Sequence, residues 1–249
     1  MDLDRHVSFD ALFNVRDLGG YATSDGRHTR WQRLYRADGL NRVQGEDLER
    51  LAALGLRTVV DLRTPNERVE RGSFPVEAMP VDYHHFPVLQ QTWEGQTLDA
   101  TIDGADFLTA RFWEMLEVGS DAIAGALRVL ADERVYPAVF HCAAGKDRTG
   151  VLAALVLGLL GVPDATIAAD YGLSRVGMLS MMAWIRQTRP EIADAMTDQP
   201  GPMLEAPPEA MLGLLDHLRQ THGSIEGYAW SIGLTAQVLD GLRANLLID

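Results

Sequence analysis

Hydrophobic and polar positions change spacing several times along the first 160 residues, which indicates alternating helices and strands. Apolar residues recur at helical intervals at 45–54, 107–118 and 120–132. Runs with the length and composition of buried strands lie at 56–62, 81–88 and 136–141. Strands separated by helices predict an α/β fold with a mainly parallel central sheet and helices on both faces.

The two ends of the chain carry different patterns. Short apolar pieces broken by turn residues predict a hairpin around Asp25-Gly26 near the N-terminus. The last hundred residues predict a helical extension at 163–175, 177–187, 208–222 and 235–247. The proline-rich, acidic stretch 187–208 between these helices is expected to be a mobile flap. No linker divides the chain, so a single domain over 1–249 is expected.

The segment HCAAGKDRTG, residues 141–150, lies between a predicted strand and an apolar helix at about 149–160. It contains Cys142, the only cysteine, and Lys146, the only lysine. A loop that enters a helix N-terminus points backbone N–H groups at one spot and adds the positive end of the helix dipole. With Lys146 and Arg148 beside it, this loop is predicted to bind an anion.

The composition limits the classes of binding partner and the cellular compartment that we expect. With 22 basic and 35 acidic residues the net charge is −13, which argues against nucleic acid or an anionic membrane as a partner over a broad surface. A lone cysteine forms no internal disulfide, which favours a reducing compartment. The longest apolar run, 151–162, has about twelve residues, against roughly twenty for a membrane span. A cytoplasmic protein without a signal peptide or stable membrane insertion is expected.

The loop also makes Cys142 a candidate nucleophile. A thiol at a helix N-terminus beside cations ionises readily and becomes reactive. Other sites that use such residues fit less well: the ATP-binding loop needs a Lys-[Ser/Thr] pair, but Asp147 follows Lys146. A metal site on His84, His85 and His141 has no spacing signature, so neither a metal nor another cofactor is expected.

Cys142, Gly145, Arg148 and Thr149 complete the pattern C-x-x-G-x-x-R-[ST]. The loop resembles that of the cysteine-dependent tyrosine phosphatases, in particular a bacterial branch that acts on phosphotyrosine, phosphoserine or phosphothreonine, and phosphoinositides. Further segments resemble the same branch: FNVRDLGGY at 13–21, LYRADGL at 34–40, VDLRTPNE at 60–67 and HGSIEGYAWSIGL at 222–234. The resemblance therefore covers most of the chain and implies a tyrosine phosphatase-like fold.

Chemistry and resemblance together give roles to the loop residues. Cys142 is expected to attack phosphorus and form a phosphocysteine, while Arg148 binds two phosphate oxygens through its planar fork. Thr149 is expected to donate its hydroxyl to the departing sulfur, and His141 to orient the loop. The remaining phosphate contacts are expected from the loop positions Ala143, Ala144, Gly145, Lys146, Asp147 and Arg148.

The leaving group of a phosphotyrosine needs a proton, and its donor is not obvious from the sequence. Many relatives carry an aspartate in a Trp-Pro-Asp-like loop, but here the nearest counterpart, Phe86-Pro87-Val88, has valine at that position. Asp61 ends a strand predicted to reach the same sheet edge as Cys142, and Asp147 lies within the loop. Asp61 and Asp147 are both candidates for the general acid, and the resemblance at the VDLR motif slightly favours Asp61.

These observations predict a metal-free phosphatase that removes phosphate from protein phosphotyrosine, and also from phosphoserine or phosphothreonine, releasing inorganic phosphate. A phosphoinositide phosphatase is the nearest alternative, because Lys146 could contact a second phosphate. A non-catalytic phosphoprotein-binding module and a sulfur transferase are alternatives from other classes. The complete set of Cys142, Arg148 and Thr149 argues against both.

Overall fold

The computed structural model describes residues 5–92, 103–190 and 204–249. Its central sheet has five strands in the order β1-β3-β6-β4-β5, and only β1 runs antiparallel to its neighbour. These strands are β1 (Arg16–Asp17), β3 (Leu34–Ala37), β4 (Thr58–Asp61), β5 (Asp82–His85) and β6 (Ala138–His141). The predicted mainly parallel sheet is confirmed.

The central strand β6 brings three strand ends to one level. In the parallel register, Ala37 of β3 and Asp61 of β4 both lie opposite His141. Because the carboxyl ends of parallel strands meet at one edge, whatever follows these three residues shares that edge. The loop after His141 therefore begins beside the ends of β3 and β4.

Side chains alternate along the strands and divide the core into two layers. Val60 and Phe140 face one layer, whereas their neighbours Val59 and Val139 face the other. Helices cover both layers, as expected from the sequence. Their bounds are α1 (Glu46–Ala53), α2 (Pro65–Arg71), α3 (Gly104–Val118), α4 (Ser120–Leu130), α5 (Asp147–Leu159), α6 (Asp164–Gly172), α7 (Ser174–Thr188), α8 (Pro208–His222), α9 (Ile225–Ser231) and α10 (Ala236–Leu246).

Helix α5 is the buried centre of the larger layer. Every residue from Val151 to Leu157 is buried, which explains why this helix is apolar on all sides. In the described parts of the chain, no helix combines the length and apolar character that crossing a membrane requires.

A small second sheet ties the two ends of the chain together. Strand β2 (His28–Thr29) pairs antiparallel with β7 (Leu247–Ile248), and a bridge between Ala22 and His28 closes the predicted turn at Asp25-Gly26. Helices α2 and α9 are additions to the predicted set. Of the expected flap at 187–208, residues 191–203 lie outside the described residues. The flap and the single domain stay predictions.

Candidate active site

The loop from Cys142 to Lys146 connects β6 to the first turn of α5. Cys142 is only 2% exposed, and the helix that follows begins at Asp147. This is the strand, loop and helix arrangement expected for an anion site at a helix N-terminus. Loop and helix thus bring Cys142, Lys146, Asp147 and Arg148 into one neighbourhood.

Gly145 allows the loop to lie directly against the end of β3. Its φ is 65°, and a Cβ there would lie 2.7 Å from both the Ala37 carbonyl oxygen and the Asp38 nitrogen. A second contact joins the loop to the same region, because the Gly39 N–H donates to the Ala143 carbonyl oxygen at 3.0 Å. Only glycine fits this position without moving the backbone.

Two side chains bind the loop carbonyls from outside. The Asn14 amide donates to the carbonyl oxygens of Ala144 and Gly145, both at 3.0 Å, and Arg36 donates to that of Gly145 at 2.8 Å. In a planar trans peptide the N–H points opposite to the C=O. Carbonyls held on the outer side therefore leave the amides of the next residues free to face an anion inside the loop.

A buried charge cluster supports this outer side. Arg16 and Arg36 both bind the Asp170 carboxylate, at 2.9 and 2.6 Å, and the Tyr21 hydroxyl donates to it at 2.8 Å. Burial raises the pKa of Asp170, but the two guanidinium groups outweigh it and hold that pKa well below its usual range. Two cations against one carboxylate leave a positive charge beneath the loop.

Arg148 is held by Glu67. Its Nη1 and Nη2 donate to Glu67 Oε2 and Oε1 at 2.5 and 2.9 Å, a bidentate pair. Burial opposes ionisation of Glu67, but Arg148 outweighs it and lowers its pKa to about 2. Burial likewise opposes the charge on Arg148, whose pKa Glu67 nevertheless raises. Both groups stay charged, and the planar fork has a fixed position.

Glu67 is a site residue that sequence reasoning missed. It occupies the third position of α2, where Thr64 Oγ1 accepts from the Glu67 N–H and the Thr64 N–H donates to Glu67 Oε2. The sequence Thr-x-x-Glu is the signal of such a capping box, so the start of α2 could be predicted from the sequence. The contact of the Glu67 carboxylate with Arg148, 81 positions away, could not be predicted in this way.

Asp61 is fully buried and contacts Arg63, two positions further along the chain, and Tyr83 of the neighbouring strand β5. Arg63 donates to its two carboxylate oxygens, with Nη2 at 2.7 Å, and the Tyr83 hydroxyl donates at 2.5 Å. Burial would raise its pKa, but His141, Arg63 and Tyr83 together lower it well below the usual range. Asp61 is therefore a firmly ionised partner of Arg63 at the sheet edge.

His141 lies between Asp61 and the loop. Its Nδ1 is 3.2 Å from the Cys142 carbonyl oxygen, which can only accept, so Nδ1 carries a proton. Its Nε2 is 3.7 Å from Asp61 Oδ2 and has no hydrogen-bond partner within the described residues. Burial lowers the pKa of His141 to about 4, so the ring is neutral at pH 7.

Lys146 and Asp147 form a pair at the helix start. The Lys146 ammonium is 3.1 Å from Asp147 Oδ1 and donates to the Glu205 carbonyl oxygen at 2.7 Å. Lys146 is buried, whereas the Asp147 side chain keeps partial exposure and accepts from the Tyr171 hydroxyl at 3.3 Å. Asp147 is thus the loop carboxylate with access to solvent.

Thr149 is buried, and its hydroxyl has no hydrogen-bond partner within the described residues. Such a hydroxyl is free to donate to a sulfur or to a bound group. In the parts of the chain that the structure covers, no cluster of three or more His, Cys, Asp or Glu side chains could hold a metal ion.

The fold places the only cysteine of the chain in a loop that leads into a helix N-terminus. The model of the tyrosine phosphatase family matches residues 7–248, and the chain belongs to this family. The predicted family is therefore confirmed, and with it the enzyme class of phosphatase. Three bacterial proteins named as protein phosphatases are similar to this chain.

A protein of Cupriavidus necator named as a tyrosine-protein phosphatase is 38% identical over 178 residues, which span 67% of this chain and 62% of that protein. A tyrosine-protein phosphatase of Nostoc commune is 28% identical, over 83% of this chain and 71% of its own length. The triple specificity protein phosphatase PtpB of Mycobacterium tuberculosis is 27% identical, over 94% of this chain and 96% of its own.

Two solved structures show more distant similarity. TpbA of Pseudomonas aeruginosa, in complex with phosphotyrosine, has 17% identity and a TM-score of 0.32 over 70% of this chain and 91% of its own. The catalytic domain of the PP-IP phosphatase Siw14 of Saccharomyces cerevisiae has 14% identity and a TM-score of 0.36, over 73% of this chain and 94% of its own. Neither adds to the family assignment.

Proposed function

We propose that this protein hydrolyses phosphotyrosine in proteins through a phosphocysteine on Cys142. The observation that carries the proposal is the loop itself: the only thiol of the chain lies at the N-terminus of α5, with the Arg148 fork held beside it by Glu67. A phosphoryl group needs a nucleophile and cations for its equatorial oxygens, and both are present here.

The reaction has two displacements at phosphorus. The Cys142 sulfur attacks phosphorus, the bond to the tyrosyl oxygen breaks, and an acid gives that oxygen a proton. Water then attacks the phosphocysteine, the bond between phosphorus and sulfur breaks, and inorganic phosphate leaves. The free Thr149 hydroxyl donates to the departing sulfur in this second step.

Asp147 is the general acid that the contacts favour. Asp61 accepts hydrogen bonds from Arg63 and Tyr83 in a buried pair, which holds its proton off. Asp147 also contacts donors, Lys146 and Tyr171, but unlike the fully buried Asp61 it keeps solvent access. Asp61, slightly preferred from the sequence, then acts by holding Arg63 and the neutral His141 at the sheet edge.

A leaving-group series separates the two aspartates. Asp147→Asn and Asp61→Asn are compared on aryl phosphates whose phenols have rising pKa. Loss of the true acid costs progressively more rate as the leaving group becomes more basic. We expect a rising ratio for Asp147→Asn and a constant ratio for Asp61→Asn. A constant ratio for Asp147→Asn would remove it from this role.

A phosphoinositide substrate is the second candidate, and Lys146 is the observation that favours it. Its ammonium lies beside the anion-binding loop, and its contacts are the Asp147 carboxylate and the Glu205 carbonyl. A second phosphate on a substrate could exchange with the Glu205 carbonyl at Lys146. Lys146→Met would then reduce hydrolysis of phosphoinositides more than hydrolysis of phosphotyrosine peptides.

Phosphate release from a panel of substrates tests the class as a whole. The panel contains phosphotyrosine, phosphoserine and phosphothreonine peptides and phosphoinositides, and release of sulfite from thiosulfate is measured in parallel. We expect the fastest release from phosphotyrosine peptides. Binding of phosphopeptides without release would identify a phosphoprotein-binding module, and turnover of thiosulfate alone would identify a sulfur transferase.

A further inference from the structure

The outer side of α7 carries an exposed apolar strip. Val176 and Leu179 are 67% and 63% exposed, and Leu173 and Ala183 continue the strip at both ends. Their spacing of three and four residues places them on one side of the helix. The strip therefore offers a continuous apolar surface to whatever lies outside.

The charge around this strip is opposite to that of the whole protein. Residues 171–190 contain three arginines and no aspartate or glutamate, although the chain carries a net charge of −13. Arg175, Arg186 and Arg189 are exposed, and across the described ranges no carboxylate pairs with them. On the helix, Arg175 and Arg186 flank the apolar strip on one side.

The inner side of α7 is attached to the segment that holds the catalytic loop. Ser174 Oγ accepts from Arg16 at 3.2 Å, and the Phe13 ring centroid is 5.7 Å from that of Trp184. A Cβ on Gly177 would lie 2.6 Å from the Phe13 carbonyl oxygen, so the backbones are in close contact. Residue 14 of this segment binds the loop carbonyls through its amide. One layer of chain separates the helix from the loop.

We propose that α7 docks this protein on a bilayer surface that contains anionic phospholipids. Exposed aliphatic side chains beside arginines, without carboxylates, form the pattern by which a helix lies in a charged lipid interface. A second copy of the chain would bring two sets of arginines together, which like-charge repulsion opposes. A phosphoinositide substrate in the same bilayer is an extension that rests on the proposed phosphatase function.

Co-sedimentation of the full chain with vesicles tests the docking without any need for turnover. Vesicles of phosphatidylcholine alone are compared with vesicles that also contain phosphatidylserine or phosphatidylinositol. We expect binding to the anionic vesicles only, and weaker binding as salt is raised, because salt screens exposed charges.

Matched variants assign the binding to α7. Val176→Asp is compared with Val118→Asp, because Val118 lies at the end of α3 and is equally exposed, at 65%. Arg175→Glu is compared with Arg57→Glu, another exposed arginine. We expect Val176→Asp and Arg175→Glu each to lower vesicle partitioning at least about fivefold, and the two controls to leave it unchanged. All four variants should hydrolyse a soluble aryl phosphate at the parent rate.

Equal vesicle binding by Val176→Asp and Val118→Asp would overturn the assignment, as would equal binding to neutral and anionic vesicles. A dimer that Val176→Asp dissociates, without vesicle binding by the parent, would assign the strip to a second copy and also overturn it. Vesicle binding without phosphate release from any substrate contradicts the proposed function and leaves the docking standing. Phosphate release without vesicle binding contradicts the docking alone.

Discussion

The proposed binding of two phosphate oxygens by Arg148 requires its guanidinium to keep one orientation, and Glu67 supplies that orientation. Both Glu67 oxygens are used, and one of them also accepts from the Thr64 N–H at the start of α2. A residue on a different helix thus fixes the orientation of the Arg148 guanidinium. We regard Glu67 as a positioning residue, because both of its carboxylate oxygens are bound to Arg148.

Glu67→Gln should lower kcat/KM on phosphotyrosine peptides by about 10- to 100-fold. A neutral amide cannot replace both charged hydrogen bonds, each worth about 1.5–3 kcal/mol. Inorganic phosphate should also inhibit this variant less strongly, since its Arg148 is less well oriented. Glu70→Gln, at an exposed position of the same helix, is the matched control. Parent-like inhibition by phosphate in Glu67→Gln would show that Arg148 is held by other contacts.

Acidification should destabilise the protein through His141. Burial lowers the pKa of this ring to about 4 from the ordinary value of 6.5. Between these pH values the unfolded chain binds a proton that the folded protein excludes, so the free energy of unfolding falls as pH falls. The full effect is about 3 kcal/mol. Urea unfolding at pH 7, 6, 5 and 4 measures it.

His141→Asn is the control for this pH dependence, because it removes the titrating ring and keeps a polar group. Its unfolding free energy should change less between pH 6.5 and 4 than that of the parent, while the six other histidines contribute equally to both proteins. Identical slopes for the two proteins would mean that His141 titrates alike in the folded and unfolded states.

At the scale of elements, the loop depends on how closely it lies against the end of β3. Gly145→Ala adds both a strained left-handed residue and a clash at 2.7 Å with the backbone of Ala37 and Asp38. Gly55 has a nearly equal φ of 67° but open space around it, so Gly55→Ala measures the strain alone. We expect about 1 kcal/mol of destabilisation at Gly55, and clearly more at Gly145 together with loss of activity. Equal effects at both positions would show that the loop has room for a side chain.

The elements that the sequence predicts well are those whose pattern is local. Strands β4 and β6 are short, fully buried runs centred on apolar residues, and α5 is apolar on all sides, so length and neighbours were sufficient. Helices α2 and α9 have seven residues each, too few for a hydrophobic period to emerge. Strand β2 has two residues and exists through its pairing with the far end of the chain.

The same distinction between local and long-range features applies to the candidate site. Cys142, Lys146, Asp147 and Arg148 are neighbours in sequence, so their loop could be found from spacing alone. Their supports come from 81 to 131 positions away, namely Glu67, Asn14 and Arg36. No hydrophobic periodicity of the sequence predicts such contacts, because they depend on how complete helices and strands pack together.

At the scale of the whole molecule, Asp170 joins three parts of the chain. It lies on α6 and binds Arg16 of β1 and Arg36 of β3, while Arg36 also holds the Gly145 carbonyl. The positive charge beneath the loop is therefore supported by a carboxylate from the helical C-terminal part. Stability and loop geometry depend on the same buried cluster.

Asp170→Ala should destabilise the protein by about 3–5 kcal/mol, because it leaves two buried guanidinium groups without their carboxylate. Asp164→Ala is the comparison on the same helix: its pair with Arg219 is exposed and worth about 0–1 kcal/mol. Urea unfolding of both variants gives the difference. Equal effects would indicate that water or rearranged side chains replace Asp170 at no cost.

Phosphate release from a phosphotyrosine peptide by the parent and by Cys142→Ser tests the central claim most directly. Cys142 is the only thiol, so no other cysteine can take over as nucleophile. We predict release by the parent, and a rate lower by a factor on the order of 10⁴ or more for Cys142→Ser. Release by Cys142→Ser at the parent rate, or no release by the parent, would contradict the account.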